Sequence, residues 1–187
     1  MHRYQLEHAI RAACSIIRRD QVIVVGSQSI LGSFHEDDLP DQATMSTEVD
    51  ILPIDADPQT VLDLSDELSA VAGEWSDFDQ MHGFFLDGVD DTTAKLPAGW
   101  RDRLVVVSNE NTRQVGTGQQ FTGLCLDKED LCVAKLLAHR EKDQAFVGAL
   151  LQYQTVDREV IIERLRSVQE RWPVEVGRAL GWLQRGP

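Results

Sequence analysis

The chain is short of cysteine, of positive charge and of long apolar runs, and each shortage removes a class of function. Its three cysteines, Cys14, Cys125 and Cys132, form an odd set in apolar helical or strand contexts, where a reduced thiol behaves as a small hydrophobe. A zinc centre needs ligands at tighter, paired spacings than Cys125, Cys132 and His139 offer. No stretch reaches the roughly 18–20 uninterrupted apolar residues of a membrane span. Residues 1–7 are polar and lack the apolar centre of a signal peptide, so residence in the cytoplasm without membrane association is expected. No Lys-Ser or Lys-Thr pair follows Gly26, which excludes a Walker loop. Neither His82 nor His139 has a serine or cysteine partner suggested by the sequence, which argues against a hydrolase triad. Internal repeats and low-complexity segments are absent.

Lys and Arg number 18 against 31 Asp and Glu, a net charge of −13 over 187 residues. A surface of that sign repels phosphate backbones, so unaided nucleic-acid binding is disfavoured. A local basic pocket or a basic partner protein stays open. Lys95, Arg101, Arg103 and Arg113 are the residues that could form such a pocket. The same charge also keeps a protein soluble.

What is present is hydrophobic periodicity. Leu6, Ala9, Ile10, Ala13, Ile16 and Ile17 recur at helical spacing through residues 4–19. Residues 21–25, Gln-Val-Ile-Val-Val, are the β-branched run of a buried strand. Gly26 breaks it, and Ser27 is placed to cap a short helix through Ile30 and Leu31. Residues 35–44 are acidic, contain Pro40 and have no period, which predicts an exposed loop. Residues 46–52 alternate, with Thr47, Val49 and Ile51 on one face and Ser46, Glu48, Asp50 and Leu52 on the other. Asp57-Pro58 is an N-cap and first-turn pair for a helix reaching Ala72.

Further strands are expected at 83–89, 104–107 and 121–126, with a polar, glycine-bearing hairpin loop at 109–120 between the last two. Asp127 caps a helix through His139, and helices at 144–153, 157–170 and 173–184 follow. The order predicts an α/β (α+β) fold: a mixed sheet of about five strands with flanking helices and a helical C-terminal portion. Residues 1–126 would form the core, with 127–187 packed on it. Trp75, Trp100, Trp172 and Trp182 are expected to pack, although Trp100-Arg101 could instead stack on a base.

Three features carry chemistry. Gly26-Ser27 follows a buried strand and opens a helix, where a small residue lets phosphate approach and unpaired amides await it. Glu48 and Asp50 lie two residues apart on a strand and so share a face, close enough to hold divalent cations between them. Phosphoryl transfer assisted by metal ions needs such oxygen ligands. Lys135 stands on a largely apolar helical segment, followed by Arg140, Lys142 and Asp143. It either snorkels to solvent or aims its charge at a phosphate or at the carboxylates.

A strand ending in Gly-Ser, a short helix and then an acid-x-acid strand resembles the core of the nucleotidyltransferase superfamily of the DNA polymerase β type. The run Asp130-Leu131-Cys132-Val133-Ala134-Lys135-Leu136, with Ala138, Arg140, Lys142 and Asp143, resembles the second half of the AbiEii and related minimal transferase families. Gly26–Leu31 and Leu96–Leu104 resemble segments of small bacterial proteins of unassigned function in that group. The likeness implies that Gly26 and Ser27 hold a nucleoside triphosphate and that Glu48 and Asp50 bind Mg2+. It further implies that Lys135 neutralises phosphate charge, while Asp143 orients Lys135 or Arg140. Family members usually carry aspartate where Glu48 stands, and the gap from Ser27 to Glu48 exceeds their common spacing. A third carboxylate is expected on a following strand, with Asp87 the best placed and Asp102 a poorer choice.

The leading expectation is therefore a magnesium-dependent enzyme that moves a nucleotide to a hydroxyl of RNA or protein. In the resembling families such enzymes often serve as the toxin of a toxin–antitoxin pair, which implies a cognate antitoxin protein. A catalytically degenerate fold that binds nucleotide or protein without turnover is the alternative. A pure interaction protein whose acidic face meets a basic partner is the third.

Overall fold

The computed structural model describes residues 1–55 and 57–186. The chain opens with helix α1 (Arg3–Ile17) and strand β1 (Gln21–Val24), then a 3-10 turn at Ser27–Gly32. A second 3-10 turn (Glu36–Asp38) and the short helix α2 (Asp41–Thr44) lead to β2 (Glu48–Pro53). Helices α3 (Pro58–Ala72) and α4 (Asp77–His82) precede β3 (Phe85–Gly88). A 3-10 turn at Trp100–Arg103 enters β4 (Val105–Val107), and β5 (Thr122–Cys125) completes the sheet. Four helices close the described chain: α5 (Lys128–Ala138), α6 (Glu141–Gln152), α7 (Arg158–Arg166) and α8 (Pro173–Arg185).

The five strands lie in the order β3-β2-β1-β5-β4. β1 runs antiparallel to β2 and parallel to β5, β2 runs parallel to β3, and β4 returns antiparallel beside β5. This is the expected mixed sheet with flanking helices, and the hairpin between β4 and β5 closes as its loop predicts.

Alternation along the strands divides the sheet into two unlike faces. Val22, Val24, Val49, Ile51 and Leu86 join a large cluster with α1 residues Leu6, Ile10 and Ala13 and with Leu68 of α3. Leu131, Leu136, Phe146, Ile161 and Val176 of α5–α8 belong to the same cluster, so the C-terminal helices share their core with the sheet. The opposite face carries a smaller cluster of Ile23, Val25 and Leu52, with Val61, Val89 and the partly covered Trp100 and Leu104. Glu48 and Asp50 share that second face with Leu52, because strand residues two apart point the same way.

Local chemistry explains the helix starts. The Asp57 carboxylate accepts from the amides of Gln59 and Thr60, Asp127 from Glu129 and Asp130, and Asp157 from Glu159 and Val160. Pro58 and Pro173 sit in first turns, where their missing N–H costs nothing. Among the described residues no helix is long and apolar enough to cross a membrane.

Three expectations need correction. Residues 35–44 are not a bare exposed loop: they form the Glu36–Asp38 turn and α2, and they bury Leu39 and Ala43. Glu36 accepts from the Arg3 amide and pairs with His2, which ties the segment to the start of α1. Ser27 does not cap its turn; Gly26 is the N-cap residue, with no side-chain bond, and the Ser27 hydroxyl is used elsewhere. Trp75 does not pack: it is 80% exposed, in a left-handed conformation (φ 68°) on the turn between α3 and α4.

Asp130 is wholly buried at the start of α5 and holds two distant segments. Arg103 donates to both its oxygens, at 2.9 and 3.0 Å, and Arg164 of α7 donates at 2.9 Å. Removing one member of a buried ion network leaves the others desolvated and unpaired. Asp130→Ala is therefore expected to cost about 3 kcal/mol. That lowers the melting temperature by roughly 6–12 °C in a chain of this size, measurable by calorimetry. A drop below about 3 °C would show that the two guanidiniums find water instead.

Candidate active site

Strand pairing brings the acidic residues together. In the β2–β3 register Asp50 stands opposite Asp87, with Glu48 one alternation back on β2. Oxygens of Glu48, Asp50 and Asp87 all lie within 4.8 Å of one another, the one group among the described residues that could hold a metal ion. Asp87 thus joins the pair, whereas Asp102 is exposed on the Trp100–Arg103 turn and lies outside the group.

Two backbone features fix these carboxylates. The Val25 amide donates to the Asp50 carbonyl at 3.1 Å, which lays the end of the first strand directly beside Asp50. A methyl on Gly26 would stand 1.5 Å from Asp50 Oδ2, so only glycine leaves this carboxylate its place. On the other side, the Gly88 position would put a Cβ 2.0 Å from the Ser65 carbonyl of α3, so glycine lets α3 lie tight on β3. Ser69 then accepts from the Gly88 amide at 2.9 Å and donates to Asp87 Oδ1 at 3.4 Å. In the sequence Ser69 carries no signal of its own, being one serine on an amphipathic helix.

The cations come from the C-terminal helices. Lys135 Nζ donates to Ser27 Oγ at 2.8 Å and to Asp143 Oδ1 at 3.2 Å, and it stands 4.3 Å from the Phe146 ring centroid. Arg140 Nε donates to Asp143 Oδ2 at 2.6 Å and its Nη2 to Oδ1 at 3.2 Å. The fully buried Asp143 therefore orients both Lys135 and Arg140, where either alone was expected. The Phe146 face beneath the ammonium was also unforeseen, since its place on α6 meets Lys135 only after the chain turns at His139 (φ 60°).

Electrostatics follows from this packing. Burial, then the charges of Glu48 and Asp87, push the Asp50 carboxyl up to about 6, against the pull of Lys135. Burial lowers the Lys135 ammonium, and Asp143 only partly restores it. Burial also works against an ionised Asp143, but Arg140 and Lys135 outweigh it and hold the carboxyl below its ordinary value. Three carboxylates crowded within 4.8 Å of one another repel, and Lys135 and Arg140, both bonded to Asp143, offset that only in part. Hard divalent cations take all-oxygen sets of this kind, so the residues fit Mg2+ or Mn2+.

These groups line one cleft of about 790 Å³, with Gly26, Ser27, Glu48, Asp50 and Asp87 on the sheet side and Lys135, Arg140 and Lys142 facing them. Lys142 is exposed and has no carboxylate partner among the described residues. The other basic residues considered are all engaged. Lys95 pairs with Glu175, Arg101 with Asp91, Arg103 with Asp130 and Arg113 with Glu110. The cysteines are free thiols, all buried; burial pushes Cys14 and Cys125 up to about 12 and Cys132 higher still. They behave as core hydrophobes.

A mixed sheet carrying acid-x-acid beside a Gly-Ser turn, with an opposing lysine helix, defines a nucleotidyltransferase-like fold. The family model described as "Nucleotidyltransferase of unknown function (DUF6036)" matches residues 4–174, and the chain belongs to that family. No curated protein and no solved structure matches the chain.

The raised Asp50 carboxyl has a testable sign. Its folded pKa lies above its ordinary 3.8, so the stability it lends is full below about pH 4 and is lost as pH rises through about 6. A shift of roughly two units corresponds to about 2–3 kcal/mol of like-charge and burial cost at neutral pH. Asp50→Asn should therefore raise the melting temperature of the metal-free protein by several degrees near pH 7.5, with the gain fading towards about pH 4. A variant no more stable than wild type near pH 7.5 would contradict this charge balance.

Proposed function

We propose that the protein transfers a nucleotide from a nucleoside triphosphate to an acceptor hydroxyl, releasing pyrophosphate. One observation carries the reading: a cluster of three carboxylates shares a cleft with Ser27, Lys135 and Arg140. Glu48, Asp50 and Asp87 would hold Mg2+, which when bound supplies charge neutralisation at the α-phosphate and acidifies an oxygen nucleophile.

The chain's own groups do the rest. Gly26 keeps the Asp50 carboxylate in place beside the triphosphate, and the first turn at Ser27 offers amides without helical partners. Lys135, held between Ser27 and Asp143, places a fixed ammonium where negative charge grows on the departing pyrophosphate. Arg140 and Lys142 stand at the cleft wall to receive the outer phosphates. The acceptor oxygen forms its bond to the α-phosphorus as the bond to the bridging oxygen breaks, and its proton passes to Asp87. Ser69 holds that carboxylate in place.

The acceptor is RNA or protein. The net charge of −13 and the pairing of Lys95, Arg101, Arg103 and Arg113 favour a protein hydroxyl. The Lys135 helix with Arg140, Lys142 and Asp143 also fits the AbiEii-like, polymerase β-type lineage, and with it a cytoplasmic toxin restrained by an antitoxin.

The test uses each α-labelled ribonucleoside triphosphate with Mg2+ and cellular RNA or protein as acceptor, following label transfer and pyrophosphate release. Transfer is expected with at least one nucleotide, and Asp87→Asn should slow it about 100-fold or more while the fold stands. Release of inorganic phosphate instead of pyrophosphate would sink the assignment. Nucleotide binding with no pyrophosphate release from any acceptor would replace it with a degenerate nucleotide-binding module, which Glu48 in the usual aspartate position motivates.

A further inference from the structure

The face of the sheet that carries the carboxylates continues past them. Leu52 lies two residues beyond Asp50 on β2, about 7 Å along the strand, and Ile23 pairs with it from β1. Over this stretch lies a second, smaller cavity of about 290 Å³, floored by Val25 and Leu52 and walled by two indoles, Trp100 and Trp172. Val25, Thr92, Ala94 and Lys95 line both this cavity and the carboxylate cleft, so the two are contiguous.

The chemistry of the smaller cavity differs from that of the cleft. Its floor is apolar sheet surface and two of its walls are aromatic, while Asp91 on its lining is already paired with Arg101. Arg171 lies 4.5 Å from the Trp172 ring centroid and has no carboxylate partner among the described residues. Lys95 bridges the boundary: its ammonium pairs with Glu175 at 2.5 Å and lies 6.0 Å from the Trp172 ring centroid. Indole faces and a planar guanidinium suit a flat, uncharged, aromatic ligand that is continuous with a charged one next door.

We propose that the cavity between Trp100 and Trp172 is a nucleobase-stacking subsite, which holds the base of the nucleotide whose phosphates occupy the Ser27–Lys135 end of the cleft. The inference rests on the nucleotidyltransferase reading of that cleft. With the outer phosphates at Lys135 and Arg140 and the α-phosphate at the carboxylates, the ribose runs along the sheet from Asp50 towards Leu52. The base then enters between the indoles. Trp100 is held there from behind, because its turn is pinned through Arg103 to the buried Asp130. Trp172 is held by the N-terminal turn of α8. Stacking accepts any base face, so discrimination between bases is expected to be modest.

The experiment is calorimetric titration of the full chain with Mg2+ and two probes: inorganic tripolyphosphate, and the α,β-methylene analogue of each ribonucleoside triphosphate, which cannot turn over. At least one analogue is expected to bind about 10- to 100-fold tighter than tripolyphosphate, the contribution of one stacked base. Trp100→Leu/Trp172→Leu should bring that analogue down to the tripolyphosphate level and leave tripolyphosphate unchanged. Trp100→Phe/Trp172→Phe should restore most of the difference. If the leucine variant fails to fold, as seen by circular dichroism, Arg171→Ala serves in its place. Its side chain is exposed, and its loss should weaken the analogue about 2- to 5-fold while sparing tripolyphosphate.

Equal affinity of analogue and tripolyphosphate in the wild type, or leucine variants that bind the analogue as wild type does, overturns the subsite but leaves the phosphate cleft standing. Leucine variants that lose only a short 3′-hydroxyl oligoribonucleotide would also overturn it, by assigning the indoles to an acceptor. Failure of both probes to bind at all removes the nucleotidyltransferase reading, and the subsite with it.

Discussion

Asp50 faces Asp87 across a parallel strand pair with Glu48 on the same sheet face, and the surrounding structure answers the repulsion this creates. When ionised, Glu48, Asp50, Asp87 and Asp143 carry four negative charges, and Lys135 and Arg140, both bonded to Asp143, return two. Gly26 surrenders its side-chain space to Asp50, Ser69 reaches down from α3 to Asp87, and Phe146 offers its ring to the lysine. Each of these lowers the freedom of a charged group and so fixes the site's geometry.

Much of this was legible in the sequence, and the reason lies in period. Residues 46–52 alternate cleanly, so the shared face of Glu48 and Asp50 could be read directly. The β-branched run before Gly26 marked the first strand, and the aspartates at 57, 127 and 157 marked helix starts that the structure bears out by their bonds to backbone amides. The five-strand mixed sheet followed from the order of elements, though strand order and direction did not. The antiparallel entry of β2 beside β1 depends on long-range contacts that no local pattern encodes.

The failures are equally specific. Helix α4 spans six residues, Asp77–His82, too few to display a helical period, and its Ser76 cap and left-handed Gly83 were lost among neighbouring polar residues. The acidic segment at 35–44 looked like solvent-exposed chain because its charges outnumber its anchors, yet Leu39 and Ala43, four apart, are the pair that buries it. Trp75 looked like a packing residue by type alone and is exposed. Lys135 could not be assigned between solvent and site from its apolar neighbours. The answer lay eight residues on, in an aspartate buried so that two cations could be aimed.

Direct titration with Mn2+, read by loss of the free-ion paramagnetic resonance signal, asks whether Glu48, Asp50 and Asp87 together hold a divalent cation. The wild-type protein is expected to bind Mn2+, and Asp50→Asn to weaken that binding at least tenfold, about 1.4 kcal/mol. Binding should also fall as pH drops below about 6 and protons compete for Asp50. Absence of Mn2+ binding, or binding indifferent to both Asp50→Asn and pH, would contradict it.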